Sequence, residues 1–161
     1  MPVKLNPQDV KILELLQQDA SLSTNKIASR VNISQSPCWR RINHLQEQGV
    51  ICKQVALLDR EKLGMEVVVF TTVNLSNHGR NNLEGFEREV IIFPEVTECY
   101  TMAGAWDYML KIVTMNIRHY EVFVREQLMM LPHIGEVHSH IAVTEIKNTT
   151  QLPLATQLEL I

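Results

Sequence analysis

Residues 27–49 read IASRVNISQSPCWRRINHLQEQG, and the spacing of their apolar residues decides the N-terminal fold. Ile27, Ala28 and Val31 form the buried stripe that ends one helix, and Ile33 tucks in at the turn that follows. Ser34 stands at an N-cap position. Pro37 falls in the next first helical turn, where its missing N–H has no intrahelical partner to lose. Cys38, Ile42 and Leu45 recur at i, i+4 and i+7 and make the inward face of a second helix, which Gly49 ends as a C′ residue. Gln35, Ser36, Trp39, Arg40, Arg41, Asn43 and His44 remain outward. That set lacks acidic groups and is rich in donors for phosphates and base edges. A helix-turn-helix whose second helix enters a DNA major groove is the fold these residues predict. Trp39 reads equally well as edge packing or as a groove-facing ring.

Working outward, Asn6-Pro7 opens the first helix as N-cap and N1. Val10, Ile12, Leu13, Leu15 and Leu16 give it a wide apolar face. Leu22-Ser23 begins the second, with Leu22 placed to staple onto Ile27. Three helices in about fifty residues predict a compact winged-helix head over 1–52. Residues 53–64 form a linker: Val50-Ile51 and Lys53–Leu58 read as a short extended pair that serves as wing or linker, and Asp59 to Gly64 reads as a turn. There the period changes. Residues 65–75 (MEVVVFTTVNL) are β-branched and aromatic, the composition of a strand. Residues 79–93 carry Leu83, Phe86 and Val90 at helical spacing and stop at Pro94. Strands follow over 96–102 and 106–113. Asn116 caps a helix that Pro132 ends, and a last strand covers 137–146. The order strand, helix, strand, strand, helix, strand predicts an α+β chain whose second domain, 65–147, is a ferredoxin-like βαββαβ unit with an antiparallel sheet and both helices on one face. The other sheet face calls for a cover, and a second subunit supplies one. Residues 148–161 are a tail without an assigned role.

Charge divides the chain in the same place. Residues 1–58 carry seven Lys/Arg against four Asp/Glu, and residues 59–161 carry eight against fourteen. A basic head on an acidic remainder fits nucleic-acid binding at one end and another task at the other. Cys38, Cys52 and Cys99 are odd in number and form no C-x-x-C pair, which argues against a disulfide framework or structural zinc and fits a cytoplasmic setting. No signal peptide and no apolar run of membrane-spanning length is evident.

Several pieces together resemble the leucine-responsive regulatory protein/AsnC (feast-famine) family of transcription regulators. They are Leu5–Asp9, SQSPCWRRINHLQEQGVI from Ser34 to Ile51, ALLD at 56–59, PEV at 94–96, AGAWDYMLK from Ala103 to Lys111, and EIK at 145–147. The resemblance spans nearly the whole length. It implies a homodimer that assembles to an octamer, binds double-stranded operator DNA and answers to a small effector, usually an amino acid. Arg40 and Arg41 then read as contacts to phosphate or guanine edges, with Gln35, Ser36, Asn43 and His44 completing the surface.

The effector reading centres on Met102, Ala103, Gly104, Trp106, Asp107 and Tyr108. Gly104 permits a loop whose bare N–H groups can meet a carboxylate, Asp107 can meet an α-ammonium group, and Trp106 or Met102 can wall an apolar side chain such as that of leucine or methionine. Taken without the resemblance, the same residues read as a hairpin turn, a turn acid and a core tryptophan. His138 and His140 alternate on one strand and face one side of the sheet. Glu136 and Glu145 are their sequence neighbours, which makes no recognisable metal-ligand set, and no cofactor is implied. An enzyme is the rival class. The chain shows no nucleophile–base pair or nucleotide fingerprint, but sirohaem decarboxylases share this two-domain layout, and Arg118, His119, His138 and His140 could serve such tetrapyrrole chemistry. A sensing module that binds no DNA is a third reading. The donor-rich second head helix favours the regulator.

Overall fold

Each head helix begins where a short polar side chain can meet orphaned backbone N–H groups. The computed structural model describes residues 3–77 and 79–154. In α1 (Pro7–Gln18), Asn6 Oδ1 accepts from the N–H groups of Gln8 and Asp9 at 3.0 and 2.9 Å. The Asp9 carboxylate accepts in return from the Asn6 N–H at 3.3 Å, which closes a capping box. Helix α2 (Thr24–Arg30) is capped by Ser23, whose Oγ accepts from the Lys26 N–H. Helix α3 (Gln35–Glu47) starts after Ser34, whose hydroxyl makes no cap bond. Its end is a Schellman motif. Gly49 takes a φ of +71°, its N–H donates to Gln46, and the Val50 N–H reaches back to the Leu45 carbonyl at 2.9 Å.

The chain divides into two compact units, residues 1–57 together with the segment from 147 onward, and residues 58–146. In the first unit Ile12, Ile27, Ala28, Val31 and Cys38 form one buried cluster, and Leu22 and Ile33 pack against it as the stapling and turn readings require. A second cluster joins Leu5, Val10, Leu13 and Leu45 to Val50 and Ile51. One expectation fails here. Residues 52–59 form no strand among the described residues; Val50 and Ile51 pack on the head, while Leu57 and Leu58 are exposed. The C-terminal segment, which has no assigned place in the sequence pattern, joins the head. Leu152 donates its N–H to Gln17 Oε1 at 2.6 Å and accepts from Gln17 Nε2 at 3.3 Å, and Leu154 packs on the second head cluster.

The second unit holds β1 (Val67–Leu75), α4 (Arg80–Val90), β2 (Val96–Thr101), β3 (Tyr108–Thr114), α5 (Ile117–Glu126) and β4 (Ile134–Ile141). Its sheet order is β2-β3-β1-β4 with every neighbour antiparallel. This is the βαββαβ arrangement expected. Val69, Val73, Leu110 and Ile112 meet Phe86 and Val90 of α4 and Tyr120 and Phe123 of α5 in one buried core. A hydroxyl relay crosses it, with Tyr120 Oη bonded to Thr71 Oγ1 and Ser139 Oγ at 2.9 and 2.5 Å. Asn116 caps α5 by accepting from the His119 N–H at 2.9 Å. The helix stops at Glu126 rather than at Pro132. Gln127 breaks it, and a 3-10 turn over Leu128–Met130 follows, burying Leu128 completely. Strand β4 begins and ends earlier than the sequence pattern indicates. His133 turns with a φ of +65°, and pairing runs out beyond the Val69–Ile141 pair near the start of β1.

The sheet face away from the helices carries Phe70 and Thr72 of β1. Their register partners are Lys111 and Met109 on one side and His140 and His138 on the other. Phe70 is 39% and Tyr100 53% exposed there. Lys111 Nζ holds Glu98 Oε1 at 2.9 Å, and this bond, helped by the Tyr100 hydroxyl, keeps the Glu98 carboxyl below its ordinary range.

Candidate nucleic-acid interface and effector loop

Helix α3 turns Cys38 and Leu45 fully inward, and the residues between them define its outer surface. Gln35, Ser36, Arg40 and His44 are exposed, Asn43 is partly buried, and Trp39 is 55% exposed, which removes it from the core. Arg41 is placed differently from its neighbour. Its Nη1 lies 2.9 Å from Asp9 Oδ1, with side-chain exposures of 34% and 14% for the two partners. Asp9 is the same carboxylate that closes the α1 capping box. Arg41 therefore braces α3 against the start of α1, whereas Arg40 points out beside it. A cleft of about 530 Å³ runs along this edge, lined by Lys4, Asn6, Pro37, Arg40, His44 and Gln48 among others. Lys4 is a cation that the helix pattern did not single out, because it precedes the first helix and belongs to no stripe.

The candidate effector loop, residues 102–107, joins β2 to β3. The Met102 N–H donates to the Asp107 carbonyl at 2.8 Å, closing the loop at its base. Gly104 holds a φ of +142°, a conformation that side-chain-bearing residues rarely adopt. The loop is fixed to the end of β1 by three bonds around Asp107. Its carboxylate Oδ2 accepts from the Leu75 N–H at 2.8 Å, and its own N–H donates to the Val73 carbonyl and to Asn74 Oδ1. Asn74 Nδ2 also donates to the Ala105 carbonyl at 3.0 Å. Asp107 thus pins the loop through Oδ2 and its own N–H. The Trp106 ring lies against His138 with centroids 4.5 Å apart. Ala103 and Gly104 are exposed, and Met102 is 39% exposed.

Tyr108 departs furthest from its expected place in a ligand pocket. It is 1% exposed, its ring packs on Phe86 at 4.6 Å, and its hydroxyl donates to Glu87 Oε1 at 2.9 Å. Burial first, and then the Glu87 carboxylate, push its ionisation far above the ordinary range for a phenol. It is a core residue of the second unit. The histidines of the tetrapyrrole reading do not converge either. His138 and His140 face away from the helices, while His119 lines a cleft beside α5. Among the described residues no three His, Cys, Asp or Glu side chains group as a metal site, and no helix is long and apolar enough to cross a membrane.

Comparisons with known proteins fit both halves of this arrangement. Residues 5–51 match the family described as winged helix-turn-helix DNA-binding, and residues 68–152 match the Lrp/AsnC ligand binding domain. The chain is 37% identical to transcriptional regulator AzlB of Bacillus subtilis, covering 96% of this chain and 98% of that one. It is 35% identical to the DNA-binding transcriptional activator DecR of Escherichia coli, over 93% and 99% of the two chains. Among solved structures, an AsnC family transcriptional regulator from Agrobacterium tumefaciens superposes with a TM-score of 0.91 at 39% identity, covering 94% of this chain and 99% of that one. The NMB0573/L-Met complex of a Neisseria meningitidis transcriptional regulator gives 0.92 at 30% identity, over 96% and 99%. Donor-bearing recognition helix, ligand-binding domain and relatives agree, and the enzyme reading falls with them: the chain belongs to the Lrp/AsnC family of DNA-binding transcription regulators.

Proposed function

We propose that the regulator reads operator DNA through the outer face of α3 and senses an apolar amino acid at the Met102–Asp107 loop. Arg40, with Lys4 alongside it, meets phosphate, and Gln35, Ser36, Trp39, Asn43 and His44 face the groove, where base edges are read. Arg41 supports that surface by holding α3 to Asp9. At the loop, exposed backbone at Ala103 and Gly104 receives the ligand carboxylate. Met102 and Trp106 wall its side chain, and Asp107 fixes the loop that presents them. The observation that carries the reading is this loop, open at Gly104 and anchored to β1 at Asp107. That a similar regulator crystallises with L-Met supports methionine or leucine as the effector class.

Copies pair through the open sheet face around Phe70 and Tyr100, and dimers build a larger ring, the octamer of the family resemblance. Ligand binding and assembly are then coupled, since a ligand held between copies favours the state that contains its site. The protein works in the cytoplasm, where its DNA is. Thermal unfolding against each of the twenty common amino acids tests the sensor. A ligand that binds only the folded form, at about a hundred times its dissociation constant, adds roughly 2.7 kcal/mol. The reading expects that shift for a few apolar amino acids, and an unmoved transition with every one of them would contradict it.

A further inference from the structure

A cleft in the 58–146 unit lies at the opposite end of β3 from the Met102–Asp107 loop, where the end of that strand meets α5. Its volume is about 390 Å³, within the roughly 300–1,000 Å³ range of small-molecule sites. Met65, Val113, Val122 and Phe123 give it apolar walls, and among the described residues no lysine or arginine lines it. Glu95 is the acidic group at its edge. The Glu95 backbone is fixed, because its carbonyl accepts from the Val113 N–H at 2.9 Å. One carboxylate oxygen, Oε2, is shut off from solvent with no hydrogen-bond partner among the described residues.

A carboxylate with one oxygen sealed and unpaired is poorly hydrated, and its charge must be met through the other oxygen. None of the ion pairs among the described residues supplies a cation to Glu95. We infer that this cleft is a binding site for a small molecule carrying one primary ammonium on a compact apolar tail, the ammonium over Glu95 and the tail against Val122 and Phe123. His119 and Gln127 stand at the same cleft and offer donors to a carboxylate, so both free amines and amino acids share the required chemistry. The site is separate from the Met102–Asp107 loop and does not depend on that loop binding anything.

The test uses the full chain, with 3-methylbutylamine, L-leucine and 3-methylbutanoate as probes and thermal unfolding as the first readout. The amine raises the unfolding temperature of the native chain and of Gly104→Val, and it leaves that of Glu95→Gln unmoved. The carboxylate alone shifts none of them. A leucine shift that survives Gly104→Val and disappears in Glu95→Gln assigns amino acids as occupants; a shift with the amine only assigns free amines. Without ligand, Glu95→Gln is at least as stable as the native chain at neutral pH, because it removes a poorly hydrated charge. Methyl NMR of Val113 and Val122 during the amine titration locates the site independently of any variant. No shift with the amine or with leucine, a shift that persists in Glu95→Gln, or methyl signals that stay still would each overturn the assignment.

Discussion

At the scale of single residues, adjacent arginines have been given different work. Arg40 projects from α3 into the open, and Arg41 is spent on Asp9 at 2.9 Å. Arg40→Ala should weaken DNA binding about tenfold at moderate salt and lower the slope of log affinity against log salt by about 0.9 for the one phosphate lost, with unfolding unchanged. Arg41→Ala should show the opposite balance. A half-exposed pair of this kind contributes at most about 1 kcal/mol after screening, so a small fall in head stability accompanies a modest loss of DNA affinity. Denaturant melts beside fluorescence anisotropy on the same samples separate the two. Asp107→Ala strips the Leu75 N–H of its acceptor and should cost about 1 to 3 kcal/mol, with a blunted ligand response and near-normal DNA affinity; unaltered ligand affinity would remove the loop from the site. The caps at Asn6, Ser23 and Asn116 could be read from sequence because a cap is a contact between near neighbours. The Arg41–Asp9 pair spans 32 positions, and neither residue type announces such a partner.

Element-scale features were legible wherever a period ran long enough. The helices of both units occur where the 3.6-residue period places them, and the strands of the second where β-branched and aromatic composition does, with ends displaced by a few residues. Those ends are set by local contacts: β4 has no register partner after the Val69–Ile141 pair although β1 begins at Val67, and α5 yields to a 3-10 turn that buries Leu128. The expected extended pair of Val50-Ile51 and Lys53–Leu58 has β-compatible residues but forms no strand among the described residues. The segment after Lys147 shows the converse. It has no period, yet the Gln17 side chain amide takes both polar groups of Leu152, as a neighbouring strand would. Leu154 completes a core cluster begun by Leu5 and Val10. Leu154→Ala should therefore destabilise the head by about 1 to 2 kcal/mol, less than a fully buried leucine would cost because Leu154 is only partly covered. Hydrogen exchange should show the loss in α1 amides, and exchange unchanged in α1 would mean the segment adds nothing to the head.

For the whole molecule, the sequence conveyed a basic head and an acidic second domain, and the structure shows what that second domain leaves uncovered. Its helices bury one sheet face, while Phe70 and Tyr100 lie on the other, 39% and 53% exposed. Phe70→Glu places a charge at the middle of that face and should shift the protein toward monomers at micromolar concentration, as read by sedimentation velocity. An unchanged mass would place assembly on another surface. The 102–107 loop was singled out in sequence through its glycine and its family likeness, and the bonds that hold it to β1 were not legible there. Tyr108 looks like a ligand contact until the core and Glu87 are seen to claim it, and Asp107 has an anchoring bond to β1 that its sequence neighbours do not announce.

The most direct test of the account is selection of binding sites from a random-sequence duplex library, carried out with and without L-methionine or L-leucine. The expected result is enrichment of a two-fold symmetric sequence whose half-sites lie about one helical turn, or a multiple of it, apart. Its retention should fall steeply with salt, change when the effective amino acid is added, and drop with Arg40→Ala. Recovery of no preferred sequence, or of one held equally well by the Arg40 variant, would contradict it.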